Sequence, residues 1–359
     1  MPDLQRELYQ HELGIAADIQ ACMLPKKLPK IPGIDLSAFY QPCQYVGGDY
    51  YDLIEMDAQH LGIVVADVSG KGVPGALVMA QARTLVRAES EHSSSPREIL
   101  SRVNKHLAGE IPRGMFVTMY FALLDVARSV VTFCSAGHNP ALYFRRSAGK
   151  VASVTTKGLV IGIYQGKQFE QTLSELKVQF EPGDRFLLYT DGLSEAMNSR
   201  REEFGTRRLA ACVQSLGNQR CAEFLFGLSQ EVEKFTAGAP QHDDITAVAV
   251  RRLDEPMPSS PDARTIVDGE RFVQCGFCEA VNPREVSKCQ VCHEPLQRLG
   301  RAQIQLKKHE VECSGCRRIF SRKSYERCCP YCKRPLCGMC RRQTASVGAF
   351  CSRCARKRP

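Results

Sequence analysis

Thirteen of the eighteen cysteines fall after position 270, and twelve of those thirteen form six Cys-x2-Cys pairs. The five earlier cysteines stand alone. Charge divides at the same boundary. Residues 271–359 carry 20 Lys+Arg against 6 Asp+Glu, a net of +14, and the rest carries 28 against 33, a net of −5. An acidic body without cysteine pairs therefore precedes a basic, cysteine-dense tail. No basic-then-apolar leader opens the chain, and apolar runs such as Leu61-Gly-Ile-Val-Val-Ala66 fall well short of the roughly 20 residues that span a bilayer. Secretion and membrane insertion are disfavoured and a cytoplasmic location is expected. Paired cysteines in that setting read as metal sites before disulfides.

The chain has ordinary globular composition, 43% hydrophobic and 24% charged. Residues 3–23 read as a helix, because Leu4, Leu8, His11, Ile15, Ile19 and Cys22 form one apolar stripe. That stripe either caps the core or pairs with a second copy over about three heptads. From Ile34 to Val250 strands and helices alternate. Strands are expected at Asp35–Gln41, Tyr45–Met56, Leu61–Asp67, Met115–Asp125, Ser129–Ser135, Ala141–Phe144, Arg185–Thr190 and Thr246–Arg251. Helices are expected at Pro74–Glu91, Pro96–Ala108, Thr206–Leu216 and Ala222–Thr236. Several strands follow one another directly, which disfavours an all-parallel βαβ sheet and points to an α+β sandwich. Leu253–Asp268, rich in proline, serine and charge, reads as a linker.

Carboxylates sit where strands end or begin. Asp67 closes the apolar run at 61–66, and Asp191 closes Phe186-Leu-Leu-Tyr-Thr190; both stand in a strand–Asp context near glycine. Asp49 follows Gly47-Gly48, and Asp243-Asp244 open the last strand. A carboxylate at the lip of a buried strand is costly unless it is paired, solvated or bound to a cation. Several at strand lips can converge on one electronegative cleft, and an all-oxygen cleft suits Mg2+ or Mn2+ rather than zinc. Asp49 and Asp52 are three residues apart and face opposite sides of a regular strand, so at most one is expected in the cleft, and Asp49, beside the two flexible glycines, is preferred.

Six stretches together resemble the metal-dependent protein phosphatases, in particular their bacterial SpoIIE/RsbU-type branch. They are Ile19-Gln-Ala-Cys-Met-Leu-Pro25, Val46-Gly-Gly-Asp-Tyr-Tyr-Asp52, Asp67-Val-Ser-Gly-Lys-Gly-Val-Pro74, Ala136-Gly-His-Asn-Pro140, Tyr189-Thr-Asp-Gly-Leu-Ser-Glu-Ala196 and Asp243-Asp-Ile-Thr246. The resemblance covers about residues 12–251 in the family's order. It implies a β-sandwich flanked by helices, two Mn2+ or Mg2+ ions, and hydrolysis of phosphoserine or phosphothreonine on a regulatory protein, often of the anti-anti-sigma type. Asp49, Asp67, Asp191 and Asp243 would bind the metals, with the Val68 carbonyl completing one shell. Asp244 would support them or take Asp243's place if the register slips. Ser69 stands where the eukaryotic branch has a histidine, so the acid for the leaving group is unassigned. Lys71 is a candidate phosphate contact. His138 is a candidate acid, against the commoner structural role of a lone turn histidine.

In the tail, Cys275, Cys278, Cys289 and Cys292 have the spacing of a four-cysteine zinc ribbon. Cys313, Cys316, Cys329, Cys332, Cys337, Cys340, Cys351 and Cys354 make two more sites, most simply by interleaving alternate pairs, with Cys328 an alternative to Cys329. This spacing resembles FYVE-type cross-brace domains but lacks their lipid-reading basic-histidine stretch, which disfavours a membrane-lipid ligand. Twelve thiolates and about three Zn2+ would lower the tail's +14 to roughly +8, still basic enough for an acidic partner. Sparse aromatics disfavour nucleic acid, and a protein partner is preferred.

The expected organisation is thus a helix at 1–25, a phosphatase domain at 26–252, a linker at 253–270, a zinc ribbon at 271–298 and a double-zinc domain at 309–359. A partner or a second copy would dock on the tail or the first helix. The competing reading is a zinc-dependent docking protein whose phosphatase-like body is weak or silent.

Overall fold

A computed structural model describes residues 2–254 and, beyond them, six short strands. Ten strands of the body form two five-stranded antiparallel sheets. In one, β1 (Ile34–Gln41), β10 (Ile245–Arg252), β9 (Arg185–Tyr189), β6 (Ala141–Arg145) and β7 (Lys150–Val154) lie side by side. In the other the order is β2 (Tyr50–Glu55), β3 (His60–Val68), β4 (Val117–Asp125), β5 (Val130–Ala136) and β8 (Glu175–Gln179). The sheets share one core: Phe133 of β5 meets Phe186 of β9 edge-to-face, with ring centroids 5.4 Å apart.

Helices cover the outer faces. On one side α2 (Gly72–Ser90) and α3 (Pro96–Leu107) bury Val78, Met79, Val86, Ile99 and Val103 against β3, β4 and β5. The start of α3 follows from its sequence. Ser95 accepts the Glu98 amide hydrogen, and Pro96 occupies the first turn, where its missing N–H costs nothing. On the other side α6 (Gly205–Ser215) and α7 (Cys221–Thr236) pack on the first sheet around Leu209, Val213, Phe224 and Leu228. The short α4 (Lys167–Thr172) and α5 (Asp191–Ser194) complete the body.

The expected α+β sandwich is present, with four differences of detail. The strand expected from Tyr45 begins only at Tyr50, because Tyr45–Asp49 is a loop pressed onto other parts of the fold. The helix expected from Pro74 starts at Gly72. Strands β7 and β8 escape sequence reading, since both are edge strands with mostly exposed or half-buried side chains and little apolar alternation. The helix α1 (Pro2–Met23) exists, but Leu8, Ile15 and Ile19 of its apolar stripe are exposed; Gln20 and, just beyond the helix, Leu24 are what it buries.

The chain divides into two units, Met1–Gln297 and Arg298–Pro359. In the first, Phe272–Gln274 pairs with Val281–Pro283. In the second, Glu310–Glu312 pairs with Ile319–Ser321, and Arg327–Cys328 with Pro335–Leu336. The paired cysteines that the sequence assigns to zinc lie outside the described residues. Among the described residues no helix is long and apolar enough to cross a membrane.

Candidate active site

The pairing registers bring the aspartates together. Tyr50 pairs with Ala66, so Asp49, just before β2, lies beside the end of β3 that carries Asp67. Ala247 pairs with Tyr189, so Asp191, just after β9, lies beside Asp243 and Asp244, just before β10. Those two strand ends belong to different sheets, and Asp49 joins them. Its Oδ2 accepts hydrogen bonds from the hydroxyls of Thr190 (2.7 Å) and Thr246 (2.5 Å).

Asp49 is buried and Asp67, Asp191 and Asp243 are half-buried. Their charges act on one another. Burial, then the charges of Asp191, Asp243 and Asp244, push the Asp67 carboxyl up to about 7. Burial and the Asp67 charge push Asp49 well above the usual carboxylate range, with the Thr246 hydroxyl partly opposing them. Burial and Asp243 raise Asp191 as well. Such mutual repulsion in a cleft is the electrostatic condition that a bound cation relieves. Lys71 supplies one positive charge at the edge: its Nζ lies 2.8 Å from Asp243 Oδ2 and also donates to the His242 carbonyl. Burial pulls the Lys71 ammonium down, but its hydrogen bond and ion pair with Asp243 outweigh that and leave it raised.

Asp244 has a different task. It is buried, and its two oxygens accept the amide hydrogens of Cys43 (2.7 Å) and Gly48 (2.8 Å). The loop carrying Asp49 is thereby held against β10. Glycine is required there, since a Cβ on Gly47 would overlap the Asp244 carboxylate, and one on Gly48 would come within 2.9 Å of the Val68 carbonyl oxygen. A third tie comes from α1: Gln20 donates to the Gly47 carbonyl (2.6 Å) and accepts its amide hydrogen (2.9 Å).

Asp52 is kept out of the cleft. It is fully buried in a two-pronged pair with Arg87, at 2.7 Å from both Nε and Nη2, and accepts from the Tyr50 hydroxyl at 2.6 Å. His138 is likewise engaged: Nε2 donates to the Tyr189 carbonyl (3.0 Å), and Nδ1 then accepts from the Thr118 hydroxyl (2.7 Å). Burial lowers its pKa to about 4, so the ring is neutral and braces the strand that leads to Asp191. Thr190, Thr246, Gln20 and Arg87 are the positioning residues that sequence reading did not assign. Both threonines lie inside quoted motifs, at Tyr-Thr-Asp and Asp-Asp-Ile-Thr, and that placement was the available signal.

The donor set fits hard divalent cations, being all carboxylate and carbonyl oxygen. Among the described residues no three Asp, Glu, His or Cys side chains close round one point.

The family described as Stage II sporulation protein E (SpoIIE) matches residues 57–253. Phosphoserine phosphatase RsbU of Bacillus subtilis is 30% identical over 254 residues, covering 69% of this chain and 72% of that protein. The SiaA-PP2C domain of Pseudomonas aeruginosa superposes with a TM-score of 0.61 at 25% identity, over 70% of this chain and 98% of that one. The RsbU and RsbW domains of Rv1364c from Mycobacterium tuberculosis give 0.55 at 27% identity, over 66% and 64%.

Proposed function

Because the chain belongs to the SpoIIE family of protein serine/threonine phosphatases, we propose that the aspartate cleft is its active site and that Asp49, Asp67, Asp191 and Asp243 hold two Mn2+ or Mg2+ ions there. The observation that carries this reading is the convergence of carboxylates from four distant stretches on one end of the sandwich, where burial and neighbouring charge raise the proton affinity of Asp49, Asp67 and Asp191. When bound, such ions activate water for in-line attack on phosphorus and offset charge on the phosphoryl oxygens.

The chain's own residues do the rest. Thr190 and Thr246 orient the Asp49 carboxylate. Asp244 holds the Gly47-Gly48 turn and so sets the position of Asp49; the Val68 carbonyl at the end of β3, close to Gly48, is the remaining oxygen donor of the proposed set. Lys71, exposed at the edge of the cleft, is placed to contact a phosphoryl oxygen. Cys43, beside the Asp49 loop, is not a ready nucleophile: burial and the neighbouring Asp244 push its thiol up to about 11, so it stays protonated.

The substrate proposed is a phosphoserine or phosphothreonine on a small regulatory protein of the anti-anti-sigma type, in keeping with the phosphoserine phosphatase activity named for RsbU. Retention of all four aspartates in one cleft favours this enzyme over a silent docking module. The exposed residues Leu8, Ile15 and Ile19 on α1 suit pairing with a second copy or docking of a partner. For the tail we keep the domain boundaries 271–298 and 309–359 and three structural zinc ions. The three described strand pairs support that reading, since each leaves a Cys-x2-Cys pair between its inner ends: Cys275 and Cys278, Cys313 and Cys316, Cys329 and Cys332. The test of the enzyme is phosphate release from a phosphoserine peptide with added Mn2+. Release that stops on chelation supports the reading, and release indifferent to Mn2+ overturns it.

A further inference from the structure

A second cavity, of about 520 Å3, opens beside the aspartate cleft. It lies between α7 and the outer face of the β1-β10 pair. Its walls mix apolar and polar side chains, with Phe39, Ile245 and Ala247 on the sheet side, Leu228 and Val232 on the helix side, and Ser229, Glu233 and Gln241 among the polar ones. Its mouth is shared with the cleft, because Lys71, Gly192 and Asp243 line it too. The link is built into the chain path. After Thr236 the backbone reverses at Ala237 (φ 49°) and Gly238 (φ 84°) and runs through residues 239–242 along the cavity directly to Asp243.

We propose that this cavity is a specificity pocket that receives an apolar side chain of the substrate protein lying close in sequence to its phosphorylated residue. The proposal rests on the phosphatase reading of the neighbouring cleft. Two observations select this occupant. Lys71, Gly192 and Asp243 line the pocket as well as the cleft, so the sequence neighbours of a phosphoserine held at the aspartates would lie at the shared mouth. Glu195 and Glu233 line the pocket and are themselves exposed, which repels an acidic neighbour and leaves apolar contact as the attraction. Filling an apolar pocket with one or two more methylenes changes kcat/KM by about 10–200-fold.

The test uses the full chain with Mn2+ and two probes. One is a series of phosphoserine peptides in which each residue flanking the phosphoserine is varied among Ala, Leu and Glu. The other is p-nitrophenyl phosphate, which has no flanking residues. The expected result is one flanking position at which Leu exceeds Ala by at least about 10-fold in kcat/KM and Glu falls below Ala. Ser229→Phe and Ala196→Phe, which place bulk in the pocket from α7 and from the segment after α5, should erase that preference and leave turnover of p-nitrophenyl phosphate within about two-fold. A preference that survives both variants, no flanking preference in the wild type, or equal loss on both probes in both variants would overturn the proposal. A wild-type chain inert on both probes with Mn2+ would instead sink the phosphatase reading beneath it.

Discussion

The Asp244 carboxylate accepts the backbone amide hydrogen of Gly48 at 2.8 Å, across 196 residues of chain. This bond, with its companion to the Cys43 amide, ties the first aspartate motif to the last and sets where Asp49 stands. Asp244→Asn would turn an NH2 group toward one of two amide donors. An unsatisfied buried donor costs about 1–3 kcal/mol. The variant should lose that much stability in urea unfolding and bind Mn2+ about 10–100-fold more weakly, as supporting groups around a metal do. Unchanged Mn2+ affinity would show that Asp244 does not position the site.

Proton and metal compete for the same carboxylates. Asp67 is raised to about 7, and Asp49 and Asp191 are raised as well. A raised carboxyl binds more protons in the folded than in the unfolded state between about pH 4 and 7. Its stabilising contribution is therefore present at low pH and lost as pH rises through about 7. Without added metal, these groups should make the chain less stable over that rise. Mn2+ should reverse the trend, and its affinity should climb from pH 6 to 8 with release of protons. Calorimetric titration in two buffers of different ionisation heat reads the released protons directly; none at pH 6.5 would contradict the assignment.

His138 makes a contrary expectation about catalysis. Buried and lowered to about 4, it is neutral across the working range. Its stabilising contribution is present above about pH 6.5 and fades as pH falls toward 4. His138→Gln should keep the shape of the pH–rate profile and lower stability by about 1–3 kcal/mol through its two lost hydrogen bonds. A profile that loses a limb would restore His138 as a proton donor.

The tail invites a stoichiometric check. If the proposed zinc sites form, elemental analysis of the chain purified without chelator should find about three zinc ions, the number twelve paired cysteines would hold at four per tetrahedral site. A value near zero would discard that reading.

Much of the site could be read before the fold was known, because strand ends and glycine turns have short-range signatures. Asp67 and Asp191 close apolar runs, and the two glycines before Asp49 set it apart from Asp52, which the structure hands to Arg87, although Asp49 stands in a loop and not in the regular strand that alternation assumed. Thr190 and Thr246 were harder to read. Threonine is an ordinary strand residue, and only the pairing of β9 with β10 turns both hydroxyls onto Asp49. The loop at Tyr45–Asp49 looked like strand because its reason for bending, the carboxylate of Asp244, lies almost 200 residues away. The stripe on α1 was visible, but not that it would stay exposed while Gln20 reached Gly47. The pocket beside the cleft had no sequence signature, being a gap between α7 and a sheet face.

The proposed catalysis depends on aspartates from separate strand ends acting together through bound ions. The most direct measurement sets Mn2+ stoichiometry and phosphate release from a phosphoserine peptide side by side for the wild type and Asp67→Asn. The wild type should bind two Mn2+ in the body and release phosphate, and the variant should lose at least one ion and at least about 100-fold in rate, more than supporting residues cost. Equal activity in the two proteins would contradict it.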